Sequence, residues 1–426
     1  MVRVCYSNKF SYSTSQLADQ YYHIYNVRLR CAREALIKSA RFRWGEEVKN
    51  VPLEQLNAAL GNDNVFVIGT LFKSMPKQRS ILKELEGDER PNDDANVNFT
   101  SEEDSLILHE TDENVQLVGD IDIDMHVTGI PVALLGCQLN GGAKFHVSDI
   151  CYAGPSLDVY KPTMANHTNG NSKHSLSKCI LIVSGFEFGL EPSRETILGL
   201  KKLRSFVLGR MSECENINGH SESRVVKIII AGNSVGISYA KDSKAVNGVK
   251  ALDRYLFELA QSGADITLMP GRNDPSSFLM PQQPFHPKIL QLSGSLKNVR
   301  PTTNPCSMVV DNYQVLGTSG ENVDAIRQHS KIEYSTTILK NALEWGHIAP
   351  SAPDNLSCLP FKDMDPLLID TVPDILFAGN QPEFGVTTYS CEGKKKIQLI
   401  SVPGFAKTRS CVLVDLADLD CELISF

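Results

Sequence analysis

Apolar positions change their period twice along the chain. Residues 14–40 (TSQLADQYYHIYNVRLRCAREALIKSA) hold no Gly or Pro, and Leu17, Tyr21, Ile24 and Val27 recur at helical spacing, which predicts a helix with one apolar stripe. From Val65 the period shortens to that of strands: VFVIGTLF, VQLVGDIDI, IPVALLGCQL and AKFHVSDICYAG. Between the last two, Asn140-Gly141-Gly142 supplies the positive φ that a hairpin turn needs. Short strands bent at glycines predict a small closed barrel of the OB type. The acidic run EGDERPNDDANVNFTSEED (residues 86–104) interrupts that pattern and is expected to be a mobile, solvated insertion.

After a polar stretch, TMANHTNGNSKHSLSK, with the composition of a linker, a third rhythm begins. KCILIVSG, VVKIIIAG, ADITLMPG, YQVLGTSG and PDILFAG are apolar runs that each end in a small residue and Gly. Helical spacing separates the first three: Ile197, Leu200, Leu203 and Val207, then Val249, Leu252, Leu256 and Leu259. Strands alternating with helices predict a mainly parallel α/β sheet, in which ligands bind beyond the carboxyl ends of the strands. KKIQLISVPGF and SCVLVDLADLDCELISF are expected to close the domain as further strands.

At 426 residues the chain is too long for one typical core, so two domains are expected. Its formal net charge of −8 argues against a protein that binds nucleic acid by itself through a basic face. No apolar run has the length of a membrane span, and no leader is visible, so a soluble intracellular protein without membrane contact is expected. Eleven cysteines, none in a C-x-x-C pair, point to reduced core thiols rather than a disulfide frame or zinc site. The glycosylation matches at Asn98, Asn166 and Asn355 are then chance occurrences.

The stretch LMPGRNDP (residues 268–275) raises the question of chemistry. Two-metal phosphoesterases clamp a pair of cations with Asp, His and Asn side chains at several strand ends. Their pattern runs Asp-x-His, Gly-Asp, Gly-Asn-His-Asp and Gly-His-x-His. The corresponding positions here are Gly185 and Glu187, then Asn233, then Arg272, Asn273 and Asp274, then Asn380 and Pro382. Gly185 has no side chain, Pro382 has no donor atom, and the Arg272 guanidinium keeps its positive charge. Asp274 alone keeps its identity, and before Pro275 it also serves as a turn former. No catalytic residue, metal site or cofactor is therefore expected. His286 and His347 lie near strand ends and are expected to be hydrogen-bonded structural histidines. Phe66, Phe72, Phe145 and Tyr152 on the barrel are expected to pack in its core rather than stack on single-stranded bases.

VFVIGTLFKSMPKQRSILKEL, LLGCQLNGGAKFHVSDICYAG, MPGRNDPSSFLMPQQPFHP, LGTSGENVDAI and HIAPSAPDNLSCLPF resemble the small-subunit family of eukaryotic DNA polymerase delta, within the B-type subunits of replicative polymerases. The resemblance implies an OB-fold β-barrel followed by a calcineurin-like phosphoesterase (metallophosphatase-type) α/β sandwich. On that footing residues 1–45 are a helical segment docked on the phosphoesterase-like domain, 46–160 the OB domain, 161–178 a linker and 179–426 the inactive phosphoesterase-like domain. It also implies a nuclear accessory subunit for replication and repair synthesis. Such a subunit holds the C-terminal cysteine-rich domain of the polymerase delta catalytic subunit and the third polymerase delta subunit. DNA and the sliding clamp are reached through the holoenzyme. Archaeal relatives that keep the ligands are nucleases, so a residual metal-dependent phosphodiesterase or nuclease is one alternative. Independent single-strand binding through the barrel is another.

Overall fold

The computed structural model describes residues 3–58, 65–78, 97–139, 144–154, 178–210, 224–236, 243–391 and 395–426. The strand β1 (Val4–Tyr6) and helix α1 (Tyr22–Trp44) are followed by five strands, β2 (Val65–Ser74), β3 (Ser105–Glu110), β4 (Glu113–Gly119), β5 (Pro131–Gln138) and β6 (Lys144–Tyr152). Then come β7 (Lys178–Val183), α2 (Arg194–Val207), β8 (Arg224–Ala231), α3 (Ser243–Ala260), β9 (Asp265–Met269), β10 (Val299–Pro301), β11 (Cys306–Val310) and β12 (Tyr313–Thr318). The chain ends with α4 (Glu321–Gln328), α5 (Ser335–Trp345), β13 (Ile375–Gln381), β14 (Gly385–Cys391), β15 (Lys395–Pro403), α6 (Phe405–Thr408), β16 (Ser410–Asp415) and β17 (Cys421–Ser425). Among the described residues no helix is long and apolar enough to cross a membrane. Two compact units divide the chain: residues 13–160 with 322–372, and residues 1–12 with 161–321 and 373–426.

The first unit is built on a closed barrel in the order β2-β3-β4-β6-β5, the five-stranded closure expected of an OB fold. β5 and β6 pair antiparallel, as the Asn-Gly-Gly signal predicts, although residues 140–143 themselves lie outside the described residues. Leu29, Ala32, Leu36 and Ala40 of α1 pack on Phe66, Ile68, Ala133 and Cys151 of the barrel. The helix is thus docked on the barrel and not on the α/β domain, because that stripe meets the outward residues of β2, β5 and β6. It also starts later than its apolar spacing predicts. Residues 14–16 form a separate 3₁₀ turn, held where the Ser13 amide donates to Gln16 Oε1 at 2.8 Å.

Residues 322–372, expected with the second domain, cluster with this unit instead. One buried guanidinium accounts for much of that. Arg28 has no solvent exposure and donates from Nε to Asp365 Oδ2 (2.8 Å), and from its other nitrogens to the carbonyls of Gly129, Pro350 and Ala352 (3.1, 2.6 and 2.8 Å). Asp365 also bonds His347 Nε2 at 2.9 Å, so His347 is the hydrogen-bonded structural histidine expected. Burial opposes the charge on Asp365, yet His347 and Arg28 together hold its carboxyl far below the usual range.

The acidic insertion 86–104 is only in part what its composition suggests. Residues 86–96 lie outside the described residues, but 97–104 are pinned. Asn98 Nδ2 donates to the carbonyls of Arg327 (3.0 Å) and Ser330 (2.8 Å), and the Phe99 amide donates to Gln328 O at 2.8 Å. Lys73 Nζ, nearly fully buried, lies 3.7 Å from Asp104 and donates to His329 O at 2.9 Å. The expected linker at 161–178 is likewise outside the described residues up to Lys178, where β7 begins.

The second unit holds two six-stranded sheets, β10-β9-β8-β7-β16-β17 and β1-β11-β12-β13-β15-β14. The five Gly-terminated strands, expected in one mainly parallel sheet, divide between them. β7, β8 and β9 are parallel in one, with β10 also parallel at its edge and β16 antiparallel on the other side; β12 and β13 are parallel in the other, together with β15, between antiparallel β11 and β14. Ile180, Ile182, Ile229 and Met269 face Val315, Ile375, Phe377 and Ile400 across the inter-sheet core. Leu181, Val183, Ile228 and Leu268 point the other way, onto Leu203, Val207, Leu252, Leu256 and Leu259 of α2 and α3. Both faces of these strands are covered, which explains why they read as unbroken apolar runs. Ile197, at the start of the α2 stripe, remains 41% exposed and does not join that core.

Arg28→Leu is expected to destabilise the protein by about 3–5 kcal/mol, because it leaves Asp365 buried with only one of its two cationic partners and three backbone carbonyls without their donor. Thermal denaturation beside Arg28→Lys checks this. The lysine cannot span the same four acceptors and is expected to recover little.

Candidate functional site

The carboxyl ends of β7, β8, β9, β12 and β13 converge, and the positions singled out in the sequence meet there. Gly185 sits at φ +64°, where a Cβ would come within 2.8 Å of Asn380 Oδ1. At Gly271 a Cβ would collide with the Asn233 amide nitrogen, so that turn has room only for glycine. Glu187, Asn233 and Asn380 have left-handed backbones at φ +53°, +50° and +56°. Asparagine tolerates that region; glutamate does so at greater cost. Glu187 is held there by its amide, which donates to Asn233 O at 3.1 Å, and by its carbonyl, which accepts from the Leu190 amide at 3.3 Å.

Most polar side chains at this junction are spent on the backbone. Asn380 Nδ2 donates to Ala231 O at the end of β8 (3.0 Å) and to Ser319 O just past β12 (2.8 Å). Its own amide donates to Ser184 Oγ at 2.8 Å. One asparagine therefore ties together the ends of strands from both sheets. Asn233 Oδ1 accepts from the Asn273 amide at 3.1 Å, which fastens the end of β8 to the loop after β9.

Asp274 is buried and accepts three backbone amides: Ser234 (3.2 Å), Val235 (2.8 Å) and Gly271 (2.8 Å). Its role is that of a turn clamp. Burial pushes its carboxyl up to about 7 against the pull of those three amides, and the Glu321 carboxylate adds to the push. Arg272 and Pro382 are exposed on the rim.

A further set of polar residues escaped the sequence reading. Asn304 Nδ2 donates to Gln282 Oε1 (2.8 Å) and Ser319 Oγ (2.5 Å), and its Oδ1 accepts from the Ser319 amide at 3.0 Å. Gln282 Nε2 donates onward to Gly271 O (3.3 Å) and Ser277 O (3.1 Å), and Ser319 Oγ bonds the Glu321 carboxylate. Ser184 and Ser319 carried a signal: each precedes the glycine that ends a strand. Gln282 and Asn304 lie in irregular segments and carried none.

The remaining candidates lie apart from the junction. His286 is exposed, and its Nδ1 accepts from the Lys288 amide at 3.3 Å. On the barrel Phe66 and Phe145 are buried, as core packing requires, and Tyr152 bonds His126 Nε2 at 2.7 Å. Phe72 departs from that expectation: it is 41% exposed and meets the His109 ring edge-on at 5.5 Å. Among the described residues no three His, Cys, Asp or Glu side chains are grouped so as to hold a metal ion.

Residues 180–386 match the family model of the B-type subunits of DNA polymerases alpha and epsilon, and residues 20–150 that of the DNA polymerase delta subunit OB-fold domain. The chain is 29% identical to the DNA polymerase delta subunit 2 of Drosophila melanogaster, covering 96% of this chain and 93% of that one. It is 30% identical to the DNA polymerase delta small subunit of rice (Oryza sativa subsp. japonica), with the same two coverages of 96% and 93%. Its identity to the small subunit of Saccharomyces cerevisiae is also 30%, over 98% of this chain and 92% of that one.

The junction can be tested at Asn380 and at Asp274. Asn380→Ala strands two buried carbonyls at about 1–3 kcal/mol each, so the urea midpoint is expected to fall clearly, and Asn380→His is expected to rescue none of it. A carboxyl raised in the folded state adds stability below its unfolded pKa, and that stability is lost as pH rises through about 7. Between pH 4 and 8 the wild-type midpoint should therefore decline more than that of Asp274→Asn.

Proposed function

This chain belongs to the family of DNA polymerase delta small subunits, and we propose that it is a non-catalytic scaffold within that polymerase. In this reading it holds the catalytic subunit, through the C-terminal cysteine-rich domain of that partner, together with the third subunit, in the nucleus. The observation that carries the proposal is the near-full-length match to relatives named as polymerase delta small subunits. An accessory role in replication comes with that membership.

The two-sheet unit is, in this proposal, a calcineurin-like phosphoesterase fold whose chemistry has been removed. The residues at the strand ends do not fit a two-metal centre. The Asp274 oxygens are occupied by three amides, the Asn380 amide by two carbonyls, and Arg272 brings a positive charge to the rim. A metal would have to displace those bonds before any oxygen became a ligand, and each displacement leaves a buried backbone group unpaired.

Co-expression with the cysteine-rich domain of the catalytic subunit, followed by light scattering, tests the scaffold. A stable one-to-one complex is expected, and two species eluting apart would remove its support. Calorimetric titration of the chain with Mn²⁺ is expected to be flat. Stoichiometric binding abolished by Asp274→Ala would instead support a residual phosphodiesterase.

A further inference from the structure

The four sheet edges of the two-sheet unit are not equally protected. An edge strand offers a row of unpaired amides and carbonyls, and proteins blunt such edges with short strands, charges or proline. β1 is three residues long. β10 is also three, and contains Arg300 and Pro301. β17 has five residues and carries Glu422. β14 is different: its seven residues, GVTTYSC, include no charge and no proline.

β14 is the terminal strand of its sheet and pairs with β15 from Gly385↔Ser401 to Cys391↔Lys395. Val386, Thr387, Thr388 and Ser390 are exposed, and among the described residues no further strand pairs with the outer side of β14. Its composition of β-branched and aromatic residues favours extended backbone. Charge lies outside the strand itself: the exposed Glu383 precedes it, Glu392 follows it in the sequence, and on β15 the exposed Lys396 and the buried Lys395 stand beside Ser390 and Cys391.

We infer that β14 is a docking edge, on which an extended segment of a partner polypeptide adds as a seventh strand. The inference rests on the scaffold reading and names the surface by which one partner is held. Recognition would be by main-chain hydrogen bonds, with side chains alternating between the two faces of the enlarged sheet. The segment it fits is uncharged over its middle, with a basic residue toward the exposed Glu383. The occupant is a different chain rather than a second copy. Two copies, each with a formal net charge of −8, repel one another as they approach, whereas a neutral or basic partner does not.

Neighbouring residues of a strand point their amides in opposite directions, so Thr387→Pro and Thr388→Pro form a matched pair. One removes a donor to β15 and lowers the melting temperature; the other touches only the open edge and leaves it unchanged. The variant that melts like wild type is expected to bind at least one of the polymerase subunits about tenfold more weakly or worse. In the wild-type assembled complex, the amides of residues 385–391 are expected to exchange hydrogen more slowly than in the isolated chain. If that proline variant assembles normally and those amides exchange alike in both states, the docking edge is refuted while the scaffold stands. If the wild-type chain assembles with no polymerase subunit, both fall together. A dimer of the isolated chain with these amides already protected would assign the edge to a second copy and overturn the inference.

Discussion

The carbonyls of Ala231, at the carboxyl end of β8, and of Ser319, just past β12, are held by one side chain, and the junction between the two sheets depends on those bonds. A buried carbonyl without a partner costs about 1–3 kcal/mol, a large fraction of a domain's net stability. Asn380 meets this demand for both sheets, since its one amide group bonds Ala231 O and Ser319 O while its backbone reaches Ser184. A pair of metal ions can hold such strand ends together, but that solution gathers several carboxylates which repel one another until the ions arrive. Neutral amides need no ion, so the junction closes as the chain folds. Two carboxylates are retained nearby: Asp274, bonded to three amides, and Glu321, hydrogen-bonded to Ser319.

Much of this junction is legible in the sequence, because the features that encode it are local. Gly232-Asn233 and Gly379-Asn380 are pairs that favour left-handed backbone, and all four residues but Gly379 adopt it. Asp274 reads as a turn former from its place before Pro275. The barrel follows from short strands and glycine bends, and the buried strands of the second unit from unbroken apolar runs. The position of α1 is not legible. Its apolar stripe fits any apolar surface of matching shape, and its choice shows only in long-range contacts: the packing on Phe66, Ile68, Ala133 and Cys151, and the bonds of Arg28 to Gly129, Pro350 and Asp365. The division of the Gly-terminated strands between two sheets is hidden for a similar reason. Pairing partners are set by non-local packing, and each strand by itself reads the same in either sheet.

The insertion at 86–104 illustrates how composition misleads at the level of single residues. Its acidic character describes the average of the segment. The part that is held in place depends on Asn98, Phe99 and Asp104, none of which stands out in that average. In the sequence Asn98 reads only as a glycosylation match, yet its side chain satisfies two carbonyls at and just after the end of α4. Backbone-directed amides therefore recur in both units as the means of fixing irregular chain.

The same economy bears on where the molecule is closed and where it is open. Sheets of this kind are normally sealed at their edges, and three of the four edges here are short or carry a charge. The strand ends are tied to one another by Asn380, Asn233 and Asp274. The uncharged run of β14 stands out against both. An acidic chain can keep such an edge open because repulsion between like copies suppresses self-pairing without any charge on the edge itself. The strand ends are thus held from within by side-chain amides, whereas the outer side of β14 meets no further strand among the described residues.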